Sequence, residues 1–233
     1  MNSFASLQYD RKIPATLPFP RGPRHKPLAD DPYPQVFEAI LDQRLTATSR
    51  FTEESLVQMF GASRSQIRRT LTQLSHEHVV ILRTHQRPKI ATATPEQTRQ
   101  ILHARRLTEI MLLELTCQQL QPAALEGLRE LIEEQRRFRT LGQFGAAIRL
   151  SGEFHLQLAK LAGNAPLAHF LGSLVPMTSL ALAQCRQQTN QDTTVQTHTS
   201  LVDAMERNDV NAAAHLMNRH LSDLEQQLLG SAP

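Results

Sequence analysis

Three of the ten histidines in this chain stand where helical periodicity turns them inward. His155 falls in line with Ser151, Leu158 and Ala162; His198 with Val195, Val202 and Met205; His220 with Ala213, Met217, Leu221 and Leu224. Each lies on the apolar face of a different expected helix. Neutral imidazole nitrogens on three inward faces could converge on one cavity and bind Zn²⁺, Ni²⁺ or another borderline divalent ion. From pattern alone, three separate core histidines, each hydrogen-bonded on its own, are the ordinary reading. Arg105 and Arg106, followed by Glu109, make either a surface ion pair or a guanidinium aimed at an anionic ligand.

A second set of residues suits phosphate and base edges. In FTEESLVQMFGASRSQIRRTLTQL, residues 51–74, Leu56, Val57 and Phe60 form one apolar set and Ile67, Leu71 and Leu74 another, as for two short helices joined by a turn. Gly61 can take the positive φ of such a turn, and Ser63 can cap the second helix. With Ile67 inward, Ser65, Arg69 and Thr72 lie opposite and Arg68 on the flank. Arg64, Arg68 and Arg69 then face outward at the end that enters a major groove.

The elements that must hold these groups follow from composition and breaks. At 233 residues and 40% hydrophobic, with 9 Gly, no Trp and 2 Tyr, the chain should be globular and mainly α. Residues 1–32 have five prolines before Pro32 and no periodicity, as in a flexible N-terminal arm. A helix over 34–45, the two motif helices, and strands over 79–82 and 89–92 give a winged helix-turn-helix at 33–93. From Pro95 on, six helices are expected, at 96–120, 123–141, 143–163, 166–185, 190–207 and 209–229, an all-α bundle at 94–229. The Glu/Arg series from Glu126 to Arg139 reads as a solvated face.

Charge separates the two halves. Residues 1–90 carry 13 Lys and Arg against 8 Asp and Glu, the sign that phosphate attracts; residues 91–233 carry 12 against 14. Cys117 and Cys185 stand alone, which suits reduced thiols in a cytosol. The first residues show no signal pattern, and the most apolar run, 171–183, is short and interrupted by Pro176, so no membrane span is expected. Phosphate-binding glycine loops and nucleophile elbows are missing, and the chain does not read as an enzyme.

Residues 51–74 resemble the reading head of the GntR family of bacterial transcription regulators. HARRLTEIMLLEL, SGEFHLQLAKLAGN and HTSLVDAMERNDVNAAAHLMNRHL resemble the helical ligand-binding domain of its FadR subfamily. The resemblance implies that Ser63, Arg64, Ser65 and Arg68, with Gln66 and Arg69 beside them, meet operator DNA, and that the hairpin tip near 84–87 approaches the minor groove. It also implies that His155, His198 and His220 are metal ligands around one effector cavity, with Arg105 and Ser151 on its wall. Ser151 stands where the family has an Asp ligand, Arg69 where relatives commonly carry Glu, and THQRPK lacks the usual wing glycine.

The expected protein is a cytoplasmic homodimeric repressor. It binds double-stranded operator DNA under the control of a small-molecule effector of the carboxylate class, with a divalent metal as the candidate cofactor. An architectural DNA-binding dimer without effector, or a three-histidine metal hydrolase, would use the same residues differently.

Overall fold

The structure is a computed structural model and describes residues 31–120, 122–185 and 191–230; the arm expected at 1–32 lies outside these up to residue 30. Among the described residues the chain forms nine helices and one small hairpin. They are α1 (Tyr33–Leu41), α2 (Glu53–Phe60), α3 (Arg64–His76), β1 (Val80–Ile81), β2 (Lys89–Ile90), α4 (Pro95–Gln118), α5 (Pro122–Thr140), α6 (Phe144–Leu161), α7 (Ala165–Gln184), α8 (Gln191–Glu206) and α9 (Val210–Leu229). The fold class is the one expected, mainly α with an antiparallel two-stranded sheet.

Local chemistry sets the motif. The Thr52 hydroxyl accepts from the Ser55 amide to start α2, and Gly61 ends it in the left-handed region at φ 63°. Ser63 then accepts from the Gln66 amide while the Gln66 side chain returns to the Ser63 amide, a reciprocal cap on α3. Ile67, Thr70, Leu71 and Leu74 point inward and Ser65, Arg68, Arg69 and Thr72 outward. Val57 and Phe60 are only half-buried.

Two spans are shorter than expected. α1 stops at Leu41 because Gln43 adopts φ 59° and the amides of Arg44 and Leu45 fold back onto the Ala39 carbonyl. The hairpin keeps two paired residues per strand, Val80 with Ile90 and Ile81 with Lys89. Its bend is made by His85 at φ 58°, where a glycine would be unstrained.

α1, α2, α3 and the hairpin bury Val36, Phe37, Ile40, Leu56, Ile67, Leu71, Leu74, Val80 and Ile90, and Ile148 of α6 and Leu180 of α7 complete that core. A second core gathers Leu102, Leu113, Leu128, Phe154, Leu158, Leu201, Val202, Met217 and Leu221 from α4, α5, α6, α8 and α9. α7 remains helical through Pro176 and packs on α4, α6 and α1. By length and composition alone it could cross a membrane, with a mean hydropathy of 1.3.

Candidate functional site

Helix α6 presents Ser151, Gly152 and His155, α9 presents His220, and α4 presents Arg105 to one small cavity, with about 30 Å³ of space for water-sized groups. Gln135 of α5 and Thr178 and Ser179 of α7 close other sides. His198 of α8 lies against this set: one ring nitrogen from each of His155, His198 and His220 lies within 4.8 Å of the others. The His198 ring stacks on Phe154, centroids 4.1 Å apart and planes at 11°, and meets His155 and His220 at 5.1 Å each.

The protons in the cluster follow from its neighbours. Arg105 Nε donates to Glu109 Oε1 at 2.6 Å, and Glu109 Oε2 lies 2.5 Å from His155 Nδ1. Burial alone would raise the Glu109 carboxyl, but Arg105 first and His155 next outweigh it and hold it at about 2. The carboxylate therefore engages Nδ1 of His155 and leaves Nε2 as the nitrogen free to face a ligand. Burial, then His155 and Arg105, lowers His220 to about 3; burial, then His155 and His220, takes His198 well below the ordinary histidine value. Both rings are neutral at physiological pH, as metal ligation requires.

Several buried polar atoms here have no protein partner: both ring nitrogens of His198, Nη2 of Arg105 and Oε1 of Gln135. Orphaned donors and acceptors buried together cost stability, and their clustering points to a bound species. The neutral rings of His198 and His220 beside His155, with the His198 nitrogens unpaired, fit a divalent ion of the zinc type. Ser151 lines the cavity but brings no charge, and both Glu109 oxygens are engaged.

Between a surface pair and an inward guanidinium, burial decides for Arg105. It is 2% exposed and Glu109 0%, so the surface alternative fails. The neighbouring Arg106 instead pairs with Glu225 of α9 at 2.8 Å. Glu109 as the partner of His155, and Gln135 inside the run read as a solvated face, were not recognised as cavity residues. The i,i+4 spacing signalled the first; Gln135 has no local signal.

At the other end, Ser63, Arg64, Ser65, Arg68 and Arg69 are exposed and Gln66 half-buried. Arg64 is ion-paired with Glu54, and Arg68 is held by Glu53 through Nη2 at 2.8 Å and Nε at 3.3 Å. Both acids sit in the first turn of α2, so α2 orients the arginines of α3. Arg69 has no acidic partner among the described residues. Arg50, Arg87 and Lys89 line an open groove with Thr48 and Ser49 and no carboxylate. Arg50 was missed because it stands alone in sequence.

Residues 100–223 match the family model described as the FCD domain, just over half of the 233-residue chain and the whole of the histidine cluster. The chain belongs to the FCD-domain family. FCD domains form the C-terminal part of GntR-type transcription regulators, and the chain is of that type rather than an enzyme. No curated protein matches it in sequence. Among solved structures, McbR/YncC of E. coli superposes with a TM-score of 0.66 at 18% identity, covering 84% of this chain and 95% of that one. A GntR protein from Rhodococcus sp. RHA1 gives 0.70 at 18% identity over 86% and 97%. A GntR family member from Pseudomonas syringae gives 0.50 at 22% over 87% and 88%. At these identities the likeness establishes the shared fold alone, over the helix-turn-helix and the FCD bundle together.

Proposed function

We propose that this FCD-domain protein is a cytoplasmic transcription repressor of the FadR subfamily, a homodimer whose hold on operator DNA is set by a small carboxylate in the histidine cavity. Residues 33–93 read DNA and residues 94–229 sense and dimerise. The observation that carries this reading is the set of unpaired buried atoms on Arg105, Gln135 and His198, in a bundle whose wall also holds the reading end. An architectural dimer with no effector would have no use for them.

On the DNA side, Ser63, Arg64, Ser65, Gln66, Arg68 and Arg69 meet base edges and phosphates of a half-site. The two-fold dimer presents two such helices to a palindrome. Leu107 and Met111 of α4 and Phe170 of α7 support the dimer: they are 63%, 54% and 47% exposed on two helices that pack together.

On the sensing side, His155, His198 and His220 would hold a divalent ion, Zn²⁺ or Ni²⁺, which supplies a Lewis acid for an effector oxygen. Arg105 adds the opposite charge for a carboxylate, and Ser151 leaves the ligand set neutral. Ile148 both lines the cavity and packs in the core of the reading end, so a change of packing around the ligand reaches α1 directly. An effector that prefers the non-operator state a hundredfold would supply about 2.7 kcal/mol of coupling.

Native mass spectrometry of the intact protein with added Zn²⁺ tests the sensing half. The expected result is a dimer with one ion per chain, lost in His198→Ala. A chain that stays metal-free with either Zn²⁺ or Ni²⁺ would refute the three-histidine centre.

A further inference from the structure

Gln135 is 2% exposed, faces the cavity from α5, and its amide oxygen has no hydrogen-bond partner. Across the same space Arg105 is held through Nε by Glu109, which leaves its Nη2 unpaired. The two groups differ in kind. A guanidinium nitrogen can only donate and carries charge, so it calls for an anionic oxygen; a neutral amide exchanges hydrogen bonds without charge and calls for a hydroxyl or amine. Gly152 completes the fit from α6: a Cβ there would come within 2.9 Å of Val175 and 3.2 Å of the Ser179 hydroxyl, so α6 and α7 close tightly along this wall.

We propose that Gln135 is a specificity-determining residue of the sensing site. It selects, among small carboxylates, those with a second hydrogen-bonding group beside the carboxylate. Arg105 Nη2 takes the carboxylate and the Gln135 amide takes the hydroxyl or amine. The size of the cavity favours acids of few carbons. A ligand with the carboxylate alone leaves the buried amide unpaired, and that penalty is the source of discrimination. This inference rests on the effector reading above and adds the residue and the chemical class.

Isothermal titration calorimetry on the full chain, zinc-loaded and zinc-free, would compare lactate with propionate and malate with succinate. The expected result is at least tenfold tighter binding of the hydroxylated member of a pair. Gln135→Met, which keeps the bulk of the side chain and removes the amide, should bind both members of that pair alike, the hydroxylated member losing its advantage. Gln135→Glu should weaken both by placing a charge against the carboxylate. Equal binding of each pair by the unaltered protein, binding of none of the four acids, or undiminished selectivity in Gln135→Met would overturn the proposal. A DNA-binding measurement on the same preparations separates the readings. Normal binding to a selected duplex without acid selectivity removes Gln135 alone, whereas no duplex binding removes the regulator.

Discussion

Glu109 decides the state of the cavity from behind it, by taking up Arg105 and His155 at once. Arg105→Met should therefore cost about 3–5 kcal/mol in urea unfolding, because a buried carboxylate loses its cation; adding Glu109→Gln should recover part of the loss. Acid should act in two stages. His198 and His220 sit below the ordinary value of 6.5, His220 at about 3, so the unfolded chain takes up protons that the folded one refuses. Stability falls as pH drops from 6.5 toward 3, and Glu109 adds a further loss between its ordinary 4.5 and about 2. His220→Leu should make the first stage shallower, leaving the share of His198, in urea midpoints taken across that range. The inward faces of the three histidines were readable from spacing because helical period alone decides which side a residue occupies. Their meeting point was not, since neighbours such as Gln135 come from helices far apart in the chain.

Helix α3 draws its start from its own residues and its angle from α1 and α2. Ser63→Ala removes a cap and should cost about 1 kcal/mol in thermal or urea unfolding. Tyr33 of α1 donates to Glu77 Oε2 at 2.6 Å, and Gln73 donates to Oε1 at 3.1 Å. Burial, which outweighs these bonds, lifts Glu77 to about 7 from an ordinary 4.5. The folded state thus keeps a proton that the unfolded one loses. Stability conferred by this group falls as pH rises from 4.5 to 7 and stays lost above, and Glu77→Gln should be flat over that window. Arg69 faces outward without a carboxylate partner among the described residues, so Arg69→Ala should weaken binding to all duplexes alike and reduce the salt slope by about 0.9. Gly61 and Ser63 made the α2–α3 turn readable because their constraints are local. The early end of α1 and the short hairpin were not, since Gln43 and His85 carry positive φ without being glycine.

The helix-turn-helix part, α1 to β2, meets the FCD bundle at α6 and α7. The Gly145 amide donates to Asp42 Oδ1 at 2.6 Å, Arg149 Nε donates to Glu38 Oε1 at 2.8 Å, and Gln184 Nε2 donates to the Ala91 carbonyl at 2.7 Å. A Cβ at Gly145 would fall 2.5 Å from Asp42 Oδ1 and 2.7 Å from the Glu38 carbonyl. Gly145→Ala should push α1 off α6, leaving DNA binding intact but cutting the effect of any effector on it by tenfold or more, read as the ratio of duplex affinities with and without ligand. This junction was invisible in sequence because it joins residues about 100 positions apart. Sequence-specific reading of DNA by α3 is proposed to run through Arg64 and Arg68. It is tested most directly by fluorescence anisotropy at fixed salt with a duplex selected by the protein from a random library and a scrambled duplex. The expected result is a preference of at least about a thousandfold for the selected duplex, and loss of most of it in Arg64→Ala and Arg68→Ala with non-specific binding largely kept. Equal affinity of the unaltered protein for both duplexes, or an undiminished preference in both variants, would contradict it.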